Sequence, residues 1–404
     1  MKKLLSILIA AFLLAGAGIL GWHLYEINRD HSAWLMEDGK TYYIDFHGNR
    51  VSGWQEIDGA TYCFTEDGFL CTGWHTIDGR LRYFLSDGSP AQGEMNLKGY
   101  TYVFDAQGIP HTGWLEENGL RRWFDSQGVM ATGPCTVDGV DYVFSSDGTM
   151  VTGWHEGRYY LEDGTAALGW LDLDGQRYYF REDGSPYQGW LTQGEYDYYF
   201  LEDGTMAVGP VEINGQIRYF TPGGIHIWLV NPWNYLPEDY DPQLVMTENG
   251  YRVTESCVEA LEKMLEGCRA AGLRPNLISG YRSYWDQAYL YQEKIAEYGY
   301  ATGKQIVAVP NTSEHQLGLA VDIVDASYRG LDRAQGEKPV QLWLMENCWD
   351  YGFILRYPDN TTDITGIIYE PWHYRYVGLE VSLELKELGI TLEEYLGDIR
   401  PVEE

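Results

Sequence analysis

The sequence predicts a multidomain protein in which a β-hairpin solenoid precedes a compact α+β domain. Two observations predict this division: a motif recurs about every 20 residues through the first half of the chain, and it disappears after about residue 226. A chain of 404 residues is long enough for two or more separate cores. We therefore expect an N-terminal segment over 1–28, a repeat array over 33–226 and a C-terminal domain over 229–404.

The first 28 residues predict export from the cytoplasm. Lys2 and Lys3 precede an apolar run over 4–22, which is longer than the core of about 7–15 residues in a usual signal peptide. This length favours a signal anchor held in the membrane, although Ala15-Gly16-Ala17 would suit cleavage of a signal peptide. Because the positive end stays in the cytoplasm, the rest of the chain is expected outside, at the cell surface or secreted.

The charge of the chain argues against one class of partner. Its formal net charge is −32, and 15% of its residues are aromatic. Nucleic acids are bound through basic patches that contact the phosphates. We therefore expect no nucleic-acid partner.

The repeat array is built on a Gly-Trp dipeptide or a degenerate form of it. The interval is 20 residues except for one of 16, from Gly153 to Gly169, and a further unit begins at Ala33. These positions give about ten units. The dipeptides begin at Gly53, Gly73, Gly93, Gly113, Gly133, Gly153, Gly169, Gly189 and Gly209.

Each unit reads as a hairpin, for example GWQEIDGATYCFTEDGFLCT at 53–72. Asp-Gly between alternating runs is a strong hairpin signal, because both residues tolerate the positive φ that the turn needs. One hairpin cannot bury its aromatic face alone, so we expect neighbouring hairpins to stack as a solenoid. Filling the core of this stack is one explanation of the aromatic stripe, and ligand binding is the other.

These units resemble the cell-wall-binding repeats of the choline-binding and glucan-binding proteins, through Gly-Trp, the aromatic cluster and the closing EDGTM or SDGTM element. In choline-binding relatives, aromatic rings of adjacent repeats enclose a quaternary ammonium. Here the leading tryptophan of the family's WYYF element is missing, and Glu94, Pro134 and Pro210 replace the tryptophan of Gly-Trp. The resemblance implies a wall glycan or teichoic-acid ligand. The candidate binding residues are Trp54, Trp74, Trp114, Trp154, Trp170 and Trp190.

After a proline-bearing junction at 229–240, a mixture of helical and strand patterns predicts an α+β domain. We expect a helix from a Ser256–Glu259 capping box to about Ala271, and an amphipathic helix over 284–298. Thr391 and Glu394 form a second capping box, which opens the last of two terminal helices. Further strands are predicted over 277–283, 319–325 and 353–357 and near 370–378, with a helix over about 340–351.

Six cysteines permit disulfides in an exported protein. Cys63 and Cys71 belong to the same repeat and could face each other across its hairpin. Cys257 and Cys268 share a predicted helix about three turns apart, which is too far for a bond between them. Cys348 could pair with either one, so the pairing stays open.

The histidines of the C-terminal domain indicate a metal site. Only His315 and His373 lie beyond residue 226, beside Asp322 and Glu370 respectively. Two histidines and one carboxylate are the ligands expected of a catalytic Zn²⁺, which keeps one position for water. A second carboxylate would act as general base. Taken singly, these residues also fit a loop histidine, a strand-end cap and an exposed ion pair.

Three motifs, SGYRS, SEHQLGLAVDI and EPWHYRYVG, occur in this order within 229–390 and resemble the zinc D-alanyl-D-alanine carboxypeptidases of the VanY type. The resemblance implies a Zn(2+) cofactor held by His315, Asp322 and His373, with Glu370 as the catalytic base. Arg282 matches the substrate arginine of the family, and it would stabilise the oxyanion or grip the terminal carboxylate.

Three further residues are weaker candidates for substrate contact. Gln287 and Ser313 fit substrate contacts or turn and helix-capping roles, and Trp372 fits a pocket wall or core filling. The implied function is trimming of the terminal D-Ala from peptidoglycan stem peptides by an enzyme that its repeats hold at the wall. An L,D-carboxypeptidase or dipeptidase on the same fold and a non-catalytic surface adhesin are the alternatives.

Overall fold

The computed structural model describes residues 32–237 and 240–399. The predicted export segment over 1–28 lies outside the described residues. Within the described part, no helix has the length and apolar character needed to cross a membrane. Contacts divide the chain into two compact units, one ending at Ala167 and the other beginning at Leu168.

Ten antiparallel hairpins follow one another in the repeat region, which confirms the predicted repeat architecture. In most of them both turn residues have positive φ, as at Asp58 with 52° and Gly59 with 80°. This is the conformation that the Asp-Gly pairs were expected to supply. The hairpins are Ala33–Glu37 with Lys40–Ile44 (β1, β2), Gly53–Ile57 with Ala60–Phe64 (β3, β4), Gly73–Ile77 with Arg80–Phe84 (β5, β6), Gly93–Leu97 with Tyr100–Phe104 (β7, β8), Gly113–Glu117 with Leu120–Phe124 (β9, β10), Gly133–Val137 with Val140–Phe144 (β11, β12), Gly153–His155 with Arg158–Tyr160 (β13, β14), Gly169–Leu173 with Gln176–Phe180 (β15, β16), Gly189–Gln193 with Tyr196–Phe200 (β17, β18), and Gly209–Ile213 with Gln216–Phe220 (β19, β20), to which His226–Ile227 (β21) adds a third strand.

The last residue of the second strand supplies the buried ring of nearly every hairpin. Phe84, Phe124 and Phe200 are completely buried, and their equivalents in the other hairpins are nearly so. A single hairpin has too little apolar area for this burial, so each ring is covered by neighbouring units. Core filling therefore accounts for the phenylalanines of the aromatic stripe.

The cysteines are free thiols in the described structure. Cys63 and Cys71 are both buried, Cys63 on β4 and Cys71 in the segment that follows it, and the Cys71 amide donates to the Cys63 carbonyl over 2.8 Å. Cys257 and Cys268 lie on one helix, as predicted, and do not bond to each other.

The C-terminal domain is built around a four-stranded antiparallel sheet, in which the strands at 275–279, 320–325, 373–376 and 353–355 follow one another in that order. Its strands are Pro275–Ser279 (β24), Ala320–Asp325 (β25), Phe353–Leu355 (β26) and His373–Tyr376 (β27), and the hairpin Leu244–Met246 (β22) with Arg252–Thr254 (β23) precedes them. Strand β24 begins earlier than predicted and ends at Ser279, where its pairing with Asp322 is irregular. The motif residues beyond Ser279 are therefore loop, which frees their side chains for the site.

Seven helices surround this sheet in the described chain. The α-helices are Glu255–Ala270 (α1), Tyr284–Tyr298 (α2), Tyr300–Ile306 (α3), Pro339–Asn347 (α4), Thr362–Thr365 (α5), Leu379–Leu388 (α6) and Leu392–Leu396 (α7), with 3₁₀ turns at Glu314–Leu317, Arg333–Glu337 and Cys348–Tyr351. The predicted bounds of α2 and the Thr391–Glu394 capping box are confirmed. The capping box at Ser256 is wrong, because Thr254 takes the N-cap position and its side chain accepts no bond from a backbone N–H of the helix.

An apolar cluster joins the last repeat hairpin to the two C-terminal helices. Tyr219, Ile225 and Ile227 pack in it with Val381 of α6 and Leu396 of α7. This packing fixes the position of the segment that follows the hairpin relative to α6 and α7.

Candidate metal centre

Three adjacent backbone segments bring the predicted metal ligands together. Asp322 of β25 and His373 of β27 are paired directly across the sheet, and His315 lies in the 3₁₀ turn before β25. All three side chains are buried, and one ligand atom of each lies within 4.8 Å of the others. The donor set is that of a catalytic zinc site.

Hydrogen bonds orient the two imidazoles. His315 Nδ1 lies 2.7 Å from the carbonyl oxygen of Gly280, and because a carbonyl only accepts, Nδ1 must carry the proton. His315 Nε2 is then the unprotonated atom, 3.2 Å from Asp322 Oδ2. His373 turns its other nitrogen inward, with Nδ1 3.1 Å from Asp322 Oδ1.

The electrostatic surroundings favour a positive charge between these atoms. Burial lowers the pKa of His315 to about 4, with a smaller contribution from the Arg282 cation, which keeps this imidazole neutral as a ligand should be. Burial also acts to lower the pKa of His373, but hydrogen bonds to Asp322 and Glu314 outweigh it and raise the pKa to about 9. The acceptors around His373 thus attract a positive charge to the point where the three residues meet, and a divalent cation would supply that charge in place of the second proton of His373.

Glu370 and Arg282 flank the three candidate ligands. Glu370 Oε2 lies 3.8 Å from His373 Nδ1, and burial raises the pKa of this carboxyl to about 8. Arg282 donates from Nη2 to Asp322 Oδ2 over 2.6 Å and from Nε to Ser279 Oγ over 3.0 Å. The site thus combines a carboxyl that exchanges protons near neutral pH with a fixed cation.

The centre opens into a cavity of about 460 Å³. Gln287, Ser313 and Trp372 line it together with the residues already described, so all eight site candidates of the C-terminal domain meet at one cavity. Gln287 donates from Nε2 to the carbonyl of Ala308 over 2.8 Å, and its buried Oε1 has no hydrogen-bond partner among the described residues. This oxygen is available to accept a hydrogen bond from a ligand.

Two residues beside the centre were not predicted from the sequence. Tyr357 lines the cavity, with its ring 5.0 Å from that of His373. Glu314 is fully buried beside His315. A second carboxylate directly before His315, in the same motif as Asp322, was the signal for Glu314, whereas nothing in the local pattern distinguishes Tyr357.

The repeat tryptophans contact rings of two neighbouring hairpins. Trp74 lies edge-on to Tyr83 at 5.0 Å and to Tyr102 at 5.2 Å, with 38% of its surface exposed. Trp114, Trp170 and Trp190 likewise contact a ring of their own hairpin and a ring of the next. Trp154 packs on Tyr159 of its own hairpin.

Arginines cover some of these rings. The guanidinium of Arg82 lies 5.3 Å from the centre of the Trp54 ring, and those of Arg121 and Arg177 lie 4.4 Å and 5.0 Å from Trp114 and Trp170. These cation–π contacts cover one face of each of the three rings. The six candidate tryptophans are therefore not equivalent.

Family models match parts of both the repeat region and the C-terminal region. The VanY family model, described as D-alanyl-D-alanine carboxypeptidase, matches residues 250–379. A choline-binding repeat model matches 51–88, and a putative cell-wall-binding repeat model matches 169–185 and 188–206.

Two curated relatives are similar to the C-terminal part. A D-alanyl-D-alanine carboxypeptidase of Enterococcus faecalis (strain ATCC 700802 / V583) is 44% identical over 178 residues, which are 42% of this chain and 65% of the relative. The putative carboxypeptidase YodJ of Bacillus subtilis (strain 168) is 36% identical over 43% of this chain and 68% of its own. The chain thus spans slightly less than two thirds of the enterococcal relative.

A solved structure, a variant of the vancomycin-resistance D,D-pentapeptidase VanY in complex with Zn(II), is 43% identical over 42% of this chain and 97% of its own, with a TM-score of 0.38. The fold and the His–Asp–His centre define a metallopeptidase domain that follows tandem cell-wall-binding repeats. Through that domain the chain belongs to the VanY family of D-alanyl-D-alanine carboxypeptidases.

Proposed function

We propose that the chain is an exported zinc carboxypeptidase that removes the terminal D-Ala from peptidoglycan stem peptides. The observation that carries this proposal is the convergence of three metal donors, a buried carboxyl and a fixed arginine at one cavity. His315, Asp322 and His373 would hold Zn²⁺. When bound, Zn²⁺ supplies Lewis acidity that polarises the scissile carbonyl and lowers the pKa of a water molecule.

Glu370 handles the protons of the reaction. Its carboxylate accepts a proton from the attacking water, and the same carboxyl then donates that proton to the departing D-Ala amine. Because Glu370 is buried with an elevated pKa, it holds the transferred proton readily between these two steps. Its position 3.8 Å from a metal donor atom puts the proton transfer beside the reacting carbonyl.

Arg282 orients the substrate. One of its Nη atoms is held by Asp322 and its Nε by Ser279, which fixes the plane of the guanidinium. The remaining N–H donors suit the terminal carboxylate of a peptide or the oxygen of its scissile carbonyl. Gln287 Oε1 would accept a peptide N–H, and Ser313 and Trp372 would close the cavity around the last residue.

The repeat array would keep this domain near its substrate. Tethering raises the local concentration of a substrate without a new contact in the active site. We propose the domain bounds 33–226 and 229–404, a wall glycan or teichoic acid as the ligand of the exposed tryptophans, and membrane anchoring or secretion through 1–28. The matches to cell-wall-binding repeats support the wall location.

The test compares the purified ectodomain with its Glu370→Ala variant on a stem pentapeptide that ends in D-Ala-D-Ala. Mass spectrometry would follow the peptide, and zinc would be measured in both proteins. We expect the parent to release one alanine and the variant to release none, with equal zinc in both.

Other outcomes would redirect or overturn the proposal. Release of D-Ala-D-Ala as a dipeptide would indicate dipeptidase action, and cleavage of a tetrapeptide alone would indicate an L,D-carboxypeptidase. A zinc-free parent that cleaves nothing would contradict the proposal and leave the adhesin.

A further inference from the structure

Glu314 is a buried carboxylate that touches the metal centre without belonging to its donor set. It precedes His315 in the chain, and its side chain has no exposed surface. Its Oε1 accepts hydrogen bonds from Arg356 Nε and Arg375 Nη1, both over 2.8 Å. Its Oε2 points the other way and lies 3.5 Å from His373 Nε2.

These last two atoms face each other across 3.5 Å. Both Glu314 Oε2 and His373 Nε2 are buried, and neither has a hydrogen-bond partner in the described chain. A buried polar atom left unpaired costs about 1–3 kcal/mol. Because an ionised carboxylate can only accept, the imidazole must provide the proton from Nε2.

A proton on Nε2 of His373 determines what the other ring nitrogen, Nδ1, can bind. A neutral imidazole with its proton on Nε2 has a lone pair on Nδ1, the atom that faces Asp322 and Glu370. The other candidate ligand is fixed in the opposite sense, since Gly280 holds His315 by Nδ1. The two histidines thus use different nitrogens, and each needs its own acceptor behind the ring.

We propose that Glu314 is the positioning residue of the metal centre, which accepts the Nε2 proton of His373 and so presents Nδ1 to the metal. The inference uses the proposed function only in taking these residues as a metal site. It concerns the affinity and coordination of the metal and not the identity of the peptide.

The anchoring of Glu314 explains how it keeps this orientation. Arg356 donates from Nη1 and Nη2 to both oxygens of Glu393, over 2.8 Å and 2.5 Å. Arg375 donates from Nη2 to the carbonyl of Trp228, over 2.9 Å. Two arginines and two glutamates balance in charge, and all four side chains are almost fully buried.

The cluster therefore connects the metal centre to two distant parts of the domain. Glu393 belongs to α7, and it also accepts from Asn231 Nδ2 over 3.2 Å. Trp228 and Asn231 belong to the segment that follows the last repeat hairpin. The alternative is that the cluster only stabilises the fold. In that case none of its oxygens would need to face a metal ligand, as Glu314 Oε2 does. Glu393, which binds the same arginine, provides the control.

The control compares Glu314→Gln with Glu393→Gln in the whole ectodomain. Both substitutions remove a buried carboxylate from the same arginine, but only Glu314 reaches His373. Zinc affinity would be measured by competition with a chromophoric chelator, and unfolding of the metal-free proteins would be followed by circular dichroism. We expect Glu314→Gln to weaken zinc binding by about 10–100-fold, and Glu393→Gln to lower stability with unchanged zinc affinity.

The visible spectrum of the Co²⁺-substituted proteins provides a second readout. Glu314→Gln should alter the ligand-field bands, whereas Glu393→Gln should leave them as in the parent. Equal losses of zinc affinity in the two variants would contradict the proposal and reduce Glu314 to a structural residue. Unchanged affinity in a folded Glu314→Gln protein would do the same.

If Glu314→Gln does not fold, the parent protein can still show which nitrogen of His373 carries the proton. NMR of the zinc-loaded ectodomain labelled with ¹⁵N-histidine should show a proton on Nε2 of His373, shifted downfield by a carboxylate acceptor. A proton on Nδ1, with zinc bound, would overturn the assignment. Failure of the pentapeptide assay would refute the proposed function but would leave these metal measurements valid.

Discussion

The repeat array and the C-terminal domain use polar and aromatic residues in opposite ways. In the array, short hairpins present partly exposed rings such as Trp74, each built from residues close in sequence. In the C-terminal domain, the site consists of buried groups from separate segments, among them Arg282, Asp322 and His373. Function in the array should therefore decline gradually as residues are lost, whereas function at the metal centre should depend on single atoms.

The largest effect should come from Glu370→Gln. A neutral amide cannot accept the proton of the attacking water, and general acid–base catalysis contributes about 10²–10⁴-fold. We expect kcat on the pentapeptide to fall by that factor while zinc content and binding to isolated cell walls stay at the parent level. Full activity in this variant would assign the base to another residue.

Arg282→Lys should have the next largest effect. Lysine lacks the planar set of donors, and loss of one charge-assisted hydrogen bond, about 1.5–3 kcal/mol, lowers kcat/KM by about 10–100-fold. Zinc must be measured in parallel because Arg282 also contacts Asp322.

The same variant separates the two roles left open for Arg282. On a peptide whose C-terminus is amidated, the penalty should shrink if Arg282 grips the terminal carboxylate. An equal penalty on both peptides would assign it to the oxyanion instead.

A smaller effect concerns acid stability at the end of the array. His226 packs against Trp190 and Trp228. Burial, with a smaller contribution from Arg218, lowers its pKa to about 4. As the pH falls, His226 is therefore protonated in the unfolded chain before it is protonated in the folded protein. Its contribution to the free energy of unfolding is fully present above pH ~6.5 and is lost as the pH falls toward ~4.

The measurement is urea unfolding of the parent and of His226→Phe at several pH values. Relative to its value at pH 7, the parent should lose about 1–3 kcal/mol more than the variant by pH 4. Parallel losses in both proteins would show that His226 is not the group responsible.

The smallest effect is expected from single tryptophans of the array. Trp74→Ala should lower retention on isolated cell walls a few-fold, since one aromatic contact among several contributes about 1 kcal/mol. Trp54→Ala should have less effect, because Arg82 already covers that ring. Retention unchanged by both substitutions would mean that the rings only fill the core.

The predictable parts of the fold are those determined by neighbouring residues. Asp-Gly turns, the 20-residue period and the Thr391–Glu394 capping box each depend on a few adjacent positions, and all three are confirmed. The Ser256–Glu259 capping box fits the same pattern, but the helix starts at Glu255 with Thr254 as its N-cap. Local patterns predict that an element exists better than they predict where it begins.

The metal centre shows the same limit. The motifs include every residue proposed as a ligand or base, because each occurs in a recognisable local pattern. The environment of Glu314 could not be predicted, since its arginine partners are 42 and 61 residues away in the chain. A buried charge is tolerated only where such partners exist, and their identity depends on the completed fold.

The most direct test of the account is a zinc titration. The ectodomain would be freed of metal with a chelator and checked for its fold, and release of D-Ala from the pentapeptide would be recorded as Zn²⁺ is added back. We predict a linear recovery that saturates at about one equivalent, and no recovery in a folded His315→Ala variant. Full activity without metal, or recovery in that variant, would contradict the assignment of the centre.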